Sequence, residues 1–231
     1  MSINQTIVAL DQMSLDEIDL FLSRPDNTLP TVKIGLELFV KYGPDLVHKI
    51  HRDYKKKIFL DLKLHDIPVT VERAIHSLKN LPIDFLTIHL SGGEEMLKAA
   101  LNEARRSIPN CKILGVSFLT SLEVKDLKTL FGITNIEEAF LRLFDVAERT
   151  LLDGVICSPH EITLVKKHFP RLLVITPGIR FTDEINSQNT QDQKRVAAPK
   201  EALNLGADYL VIGRSLTKAP NLSERLLELT N

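Results

Sequence analysis

The run Asp61-Leu62-Lys63-Leu64-His65-Asp66 sets ionisable residues between leucines. In an extended strand successive side chains face opposite ways, so Asp61, Lys63 and His65 share one face while Leu62 and Leu64 share the other. A carboxylate and an ammonium taken out of water are costly unless they pair. Asp11 and Lys33 stand at the ends of two other apolar runs in the same way, which extends the pair to an alternating array of carboxylate and ammonium. A lysine held between carboxylates stays protonated. It can then deliver a proton to a carbanion as a general acid, and its charge stabilises that carbanion as it forms. A carboxylate beside the substrate's own carboxylate would disfavour the ground state relative to loss of carbon dioxide. The same residues also fit a purely structural ion couple that plugs the mouth of a fold.

Two turns carry a different chemistry, Thr176-Pro177-Gly178-Ile179-Arg180 and Gly213-Arg214-Ser215. Glycines let backbone N–H groups approach phosphate oxygens, and arginine offers a charged fork. Either turn alone also reads as a simple turn with a surface arginine. Between them Phe181 to Gln193 is polar and lacks a hydrophobic period, so a functional loop closing as a lid is expected there, with Gln193 and Arg195 at the start of the next helix. His65 and His89 read as structural hydrogen-bonding groups.

These residues need a scaffold, and the chain supplies a regular one. Apolar runs rich in β-branched residues predict strands at Thr6 to Leu10, Thr31 to Ile34, Ile58 to Leu62, Phe85 to His89, Ile113 to Phe118, Gly154 to Cys157, Leu173 to Thr176 and Tyr209 to Ile212. Helical spacing predicts helices over Leu15 to Ser23, Asp45 to Asp53, Val71 to Leu81, Glu94 to Ser107, Ile136 to Leu151, Glu161 to Phe169 and Pro199 to Leu205, with Ser14 and Ser158 as starts and Gly206 as a stop. Strict alternation implies a parallel sheet. Eight strands favour a closed (β/α)8 TIM barrel spanning residues 1–231 as one domain, with a doubly wound open sheet as the alternative. Asp11, Lys33, Asp61, Lys63, His89, Thr120, the 177–180 turn and Gly213-Arg214 all fall at or just past strand ends. That is the rim where such a barrel carries its active site, with phosphate bound after the last two strands.

Bulk properties agree with a globular enzyme. The 231 residues are 44% hydrophobic and 26% charged, with a formal net charge of −1. That balance offers no basic face for nucleic acid, so an anionic substrate needs a locally basic pocket. Cys111 and Cys157 are far apart and have no metal spacing. No secretory signal and no membrane-length apolar run is read, which makes the cytoplasm the expected compartment.

Taken in order, Ala9-Leu10-Asp11, Val32-Lys33-Ile34-Gly35, Asp61-Leu62-Lys63-Leu64-His65-Asp66-Ile67-Pro68, Phe118-Leu119-Thr120-Ser121, Thr176-Pro177-Gly178-Ile179-Arg180, Asp192-Gln193-Lys194-Arg195 and Val211-Ile212-Gly213-Arg214-Ser215 resemble the orotidine 5′-phosphate decarboxylase family nearly end to end. The resemblance implies metal- and cofactor-free decarboxylation of orotidine 5′-monophosphate (OMP) to UMP. It implies Lys63 as proton donor to C6, Asp61 beside the departing carboxylate, and Lys33 and Asp66 completing the charge network. Asp11 and Lys33 would contact the ribose, Thr120 the pyrimidine, and Gln193 both ring and phosphate. Arg180, Gly213 and Arg214 would hold the phosphate. Asp66, Ile67 and Thr70 would reach the site of a partner subunit in a homodimer. One departure is Gln191, where the family often has glycine before Asp-Gln. Two alternatives remain: a Mg2+-dependent sugar-phosphate decarboxylase or aldolase of the same barrel group, and a non-catalytic nucleotide-phosphate-binding barrel. The first carries an acidic metal ligand where this chain has Lys33, a poor neighbour for Mg2+.

Overall fold

A computed structural model of the chain describes residues 3–186 and 196–230. Strands β1 (Thr6–Ala9), β2 (Thr31–Gly35), β3 (Lys57–Leu64), β4 (Phe85–His89), β5 (Lys112–Val116), β6 (Gly154–Ile156), β7 (Leu173–Thr176) and β8 (Tyr209–Ile212) each pair in parallel with the next. β1 also pairs with β8, Val8 opposite Ile212, so the sheet closes into a (β/α)8 barrel. The strands read as apolar runs because both faces are buried. Ile7, Ala9, Phe59, Phe85, Leu114, Ile175 and Val211 fill the interior, while alternate residues such as Val8, Val32, Ile58, Leu60 and Leu86 pack outward against helices.

The helices are α1 (Leu15–Leu22), α2 (Leu36–Tyr54), α3 (Pro68–Ser77), α4 (Gly93–Ser107), α5 (Val124–Phe131), α6 (Ile136–Arg149), α7 (Ile162–His168), α8 (Thr182–Asn186), α9 (Pro199–Asn204), α10 (Arg214–Thr217) and α11 (Leu222–Glu228). Ser14 caps α1 as expected: its hydroxyl accepts the Glu17 N–H while the Glu17 carboxylate accepts the Ser14 N–H. Ser158 caps a 3-10 turn, Pro159–Glu161, that leads into α7. Gly206, with φ +110°, stops the chain after α9. The structure departs from expectation in several places: α3 starts and ends earlier than Val71 to Leu81, and α10 and α11 follow β8, where no helix was expected. α2 starts at Leu36 and crosses the Gly43-Pro44 break as a kink, Gly43 taking φ 62°. α5 is an additional helix between β5 and α6. α8 occupies the first part of the stretch read as loop.

At the opposite end from the rim, three aspartates repeat one contact. Asp84, Asp153 and Asp208 each precede an even-numbered strand. Their carboxylates accept the N–H of Ile58, Ile113 and Val174 at 2.8, 2.7 and 2.7 Å. Their own N–H groups donate to the carbonyls of the same three residues. Each clasp fixes the register at which an odd strand enters beside its even neighbour. Among the described residues no helix is long and apolar enough to cross a membrane.

Candidate active site

Asp11 follows β1, Lys33 lies in β2, and Asp61 and Lys63 lie in β3, so adjacent strands carry the charges side by side. They form one unbroken chain. Lys33 Nζ is 2.5 Å from Asp11 Oδ2 and 3.3 Å from Asp61 Oδ2, and Lys63 Nζ is 2.8 Å from the same Asp61 oxygen. Lys33 and Asp61 are only 9% and 8% exposed, so each needs the other's charge. Burial alone would favour neutral Lys33, but the carboxylates of Asp61 and Asp11 outweigh it and raise the ammonium above its ordinary range. Burial likewise opposes ionised Asp61, yet Lys33, Lys63 and the Thr87 hydroxyl hold its carboxyl below the usual range.

Alternation predicts the Asp61–Lys63 contact, but the backbone reaches it differently. The pairing of β3 with β4 shifts between Leu60 and Leu64, and Lys63 has φ 51°. That left-handed conformation is uncommon for a residue with a side chain. One hydroxyl secures it: Thr87 Oγ1 accepts the Lys63 N–H and donates to Asp61 Oδ1, both at 2.9 Å. Thr87 lies on the inward face of β4 with Phe85 and was not singled out from sequence, although its alternation with Phe85 and His89 marks that face. Gly35 was quoted only as part of a motif. A Cβ there would lie 2.0 Å from Asp11 Oδ1, so the carboxylate fills the space that a side chain would need.

Asp11, Lys33, Asp61 and Lys63 line a cavity of about 270 Å3 together with Thr120, Pro177, Gly178, Arg180, Gly213 and Arg214. The charge chain and the two expected phosphate turns therefore face one space. Its floor is apolar, made by Ala9, Phe59, Ile156 and Val211. Gly178 takes φ 80°, and the next turn is laced to the returning chain, with the Arg180 N–H donating to the Ala197 carbonyl and the Ala197 N–H to that of Gly178. Gln12 also lines the cavity in a left-handed conformation, φ 64°, its N–H donating to Glu37 Oε2. Nothing in the sequence distinguishes this glutamine.

Other expected residues lie elsewhere. Asp66, Ile67 and Thr70 are exposed on the turn after β3 and the first turn of α3, away from this cavity, and the Asp66 carboxylate accepts the Ile67 N–H. Gln193 and Arg195 lie outside the described residues, as does the end of the expected lid. His65 and His89 meet through their rings, with centroids 5.1 Å apart, rather than through hydrogen bonds. Burial, then the charges of His65 and Lys63, lower the His89 imidazole below its usual range.

Comparison with known proteins gives a consistent result. The model of the "Orotidine 5'-phosphate decarboxylase / HUMPS family" matches residues 4–229. An orotidine 5′-phosphate decarboxylase of Staphylococcus saprophyticus is 43% identical over 220 residues, spanning 94% of this chain and 93% of that protein. One of Malacoplasma penetrans is 39% identical over 231 residues, covering 99% and 98%. The crystal structure of orotidine 5′-phosphate decarboxylase from Lactobacillus acidophilus superimposes with a TM-score of 0.80 at 32% identity, covering 99% of this chain and 100% of that one.

Proposed function

The chain belongs to the orotidine 5′-phosphate decarboxylase / HUMPS family and decarboxylates OMP to UMP in pyrimidine biosynthesis, and from that premise we propose how its residues perform the reaction. The observation that carries the reading is the unbroken Asp11–Lys33–Asp61–Lys63 chain, which shares one cavity with Arg180 and Arg214.

Arg180, Arg214 and the backbone of Gly213 hold the phosphate, Asp11 and Lys33 the ribose, and Thr120 the pyrimidine. Gln193 is assigned to the bridge between ring and phosphate. The substrate carboxylate then lies against Asp61, which is kept ionised by its two lysines. The bond between C6 and the carboxyl carbon breaks, carbon dioxide leaves, and the electron pair stays on C6. The Lys63 ammonium stabilises that pair and transfers its proton to C6, becoming an amine that solvent reprotonates. Phosphate binding remote from C6 helps hold the base in this field.

No metal is assigned a role. An ammonium, that of Lys33, already lies between Asp11 and Asp61, and a cation of that kind is a poor neighbour for Mg2+. We further propose a cytoplasmic homodimer in which Asp66, Ile67 and Thr70 complete the partner's site. The exposed apolar surface at Ile67 and Val69, beside Asp66, supports it. The direct test follows orotate absorbance with purified protein and OMP in EDTA. Steady loss of absorbance is expected. No turnover overturns the reading, and activity that needs added Mg2+ favours the sugar-phosphate alternative.

A further inference from the structure

Arg225 sits on α11, near the end of the described chain, yet its guanidinium grips the residues that follow Arg180. It meets Asp183 in a two-pronged pair, Nη1 to Oδ1 at 2.8 Å and Nη2 to Oδ2 at 2.7 Å. It also stacks over the ring of Phe181, 4.4 Å from the centroid, and takes a third contact from Glu228 at 3.0 Å. Phe181 is buried and opens α8: its carbonyl accepts the N–H groups of Glu184 and Ile185, and its own N–H donates to Glu184 Oε2 at 2.9 Å. α11 is itself fixed, through buried Leu222 and Leu226 and through a hydrogen bond from Ser223 to Asp26.

We propose that Arg225 is a positioning residue for the phosphate end of the site: by clamping Phe181 and Asp183 it holds the segment that carries Arg180 in its binding position before substrate arrives. This rests on the assignment of Arg180 to the phosphate. Ala197 fixes the backbone of Arg180 through the hydrogen bond it accepts, and Arg225 fixes Phe181 and Asp183, which follow Arg180 in the chain. A lone exposed ion pair contributes little to stability. Here the pair is bidentate and the same cation covers a buried aromatic face, a combination that lysine cannot reproduce. Ordering a binding segment in advance removes that cost from the binding step. The clamp therefore acts on phosphate affinity and leaves proton transfer at C6 alone.

The test compares ligands with and without phosphate in two variants. Arg225→Lys keeps the charge but loses the fork and the stack. Asp183→Asn weakens the same pair from the exposed side and leaves α11 unaltered. For both, the KM for OMP should rise by roughly 10-fold, about 1.4 kcal/mol of binding, with kcat changed less than about twofold. UMP affinity by calorimetry should fall by the same factor. Turnover of orotidine, which lacks the phosphate, should keep its wild-type kcat/KM. Equal losses on OMP and orotidine mean a general structural role and overturn the proposal, as does an unchanged KM for OMP together with unchanged UMP affinity. Wild-type protein that fails to turn over OMP sinks the assigned reaction instead. The clamp is then judged on the UMP affinities of the same variants.

Discussion

Gly35 shows how much of the site depends on an absent atom. Its φ of −84° suits any residue, so backbone conformation does not require glycine there. What requires it is the Asp11 carboxylate, which stands where a Cβ would go, with Lys33 Nζ close behind. Gly35→Ala should push Asp11 off Lys33 while leaving β2 paired. Displacements near 1 Å in a catalytic array cost on the order of 100-fold, so a fall in kcat/KM of ~10- to 100-fold is expected with a melting temperature lowered only slightly. Steady-state kinetics beside a thermal melt would check it, and an unaltered rate would refute it. The four charged residues were legible in the sequence because charge at the end of an apolar run is conspicuous. Gly35 and Thr87 were not, since each matters only through a neighbour on another strand that spacing alone does not place. The φ of Lys63 was hidden as well, as neither glycine nor proline marks the bulge.

At the scale of elements, the strands were legible because burial on both faces leaves a continuous apolar run, and β4, β7 and β8 match the expected limits. α5 was missed because one helix between β5 and β6 satisfies strict alternation, and α6 already fills that place. The start of α2 was missed because Gly43-Pro44 reads as a stop, whereas the helix resumes beyond the kink. The aspartate clasps give the elements their register. Pro30 occupies the corresponding place ahead of β2, where Ile7 pairs with Thr31, so that strand pair lacks a carboxylate clasp. Asp153→Ala would leave the Ile113 N–H without its side-chain acceptor and remove the pair with Arg105. A loss of about 1–3 kcal/mol is expected for a buried donor left unmet. It should appear as a lower urea midpoint with an unchanged slope, and a wild-type midpoint would show that the clasp is dispensable.

At the scale of the whole molecule, the cavity draws on residues in or beyond β1, β2, β3, β5, β6, β7 and β8, so no part of the barrel holds the site by itself. The proposed dimer extends this across two chains. Lys63→Ala and Asp66→Asn proteins should each be inactive alone. Mixed and allowed to exchange subunits, they should recover roughly a quarter of wild-type activity, because half the dimers are mixed and one of their two sites is intact. A mixture as inactive as its components would rule out shared sites.

The pairing of β1 with β8 also bears on how the molecule comes into being. Asp11 is synthesised about 200 residues before Arg214 and the Arg225 clamp. A ribosome adding about 5–20 residues per second makes β1, which leads to Asp11, seconds before β8 beside it exists. Until β8 leaves the exit tunnel, β1 has an unpaired edge and the cavity lacks Gly213 and Arg214. The cavity within one chain is therefore complete only once the ring has closed, and turnover waits on that closure.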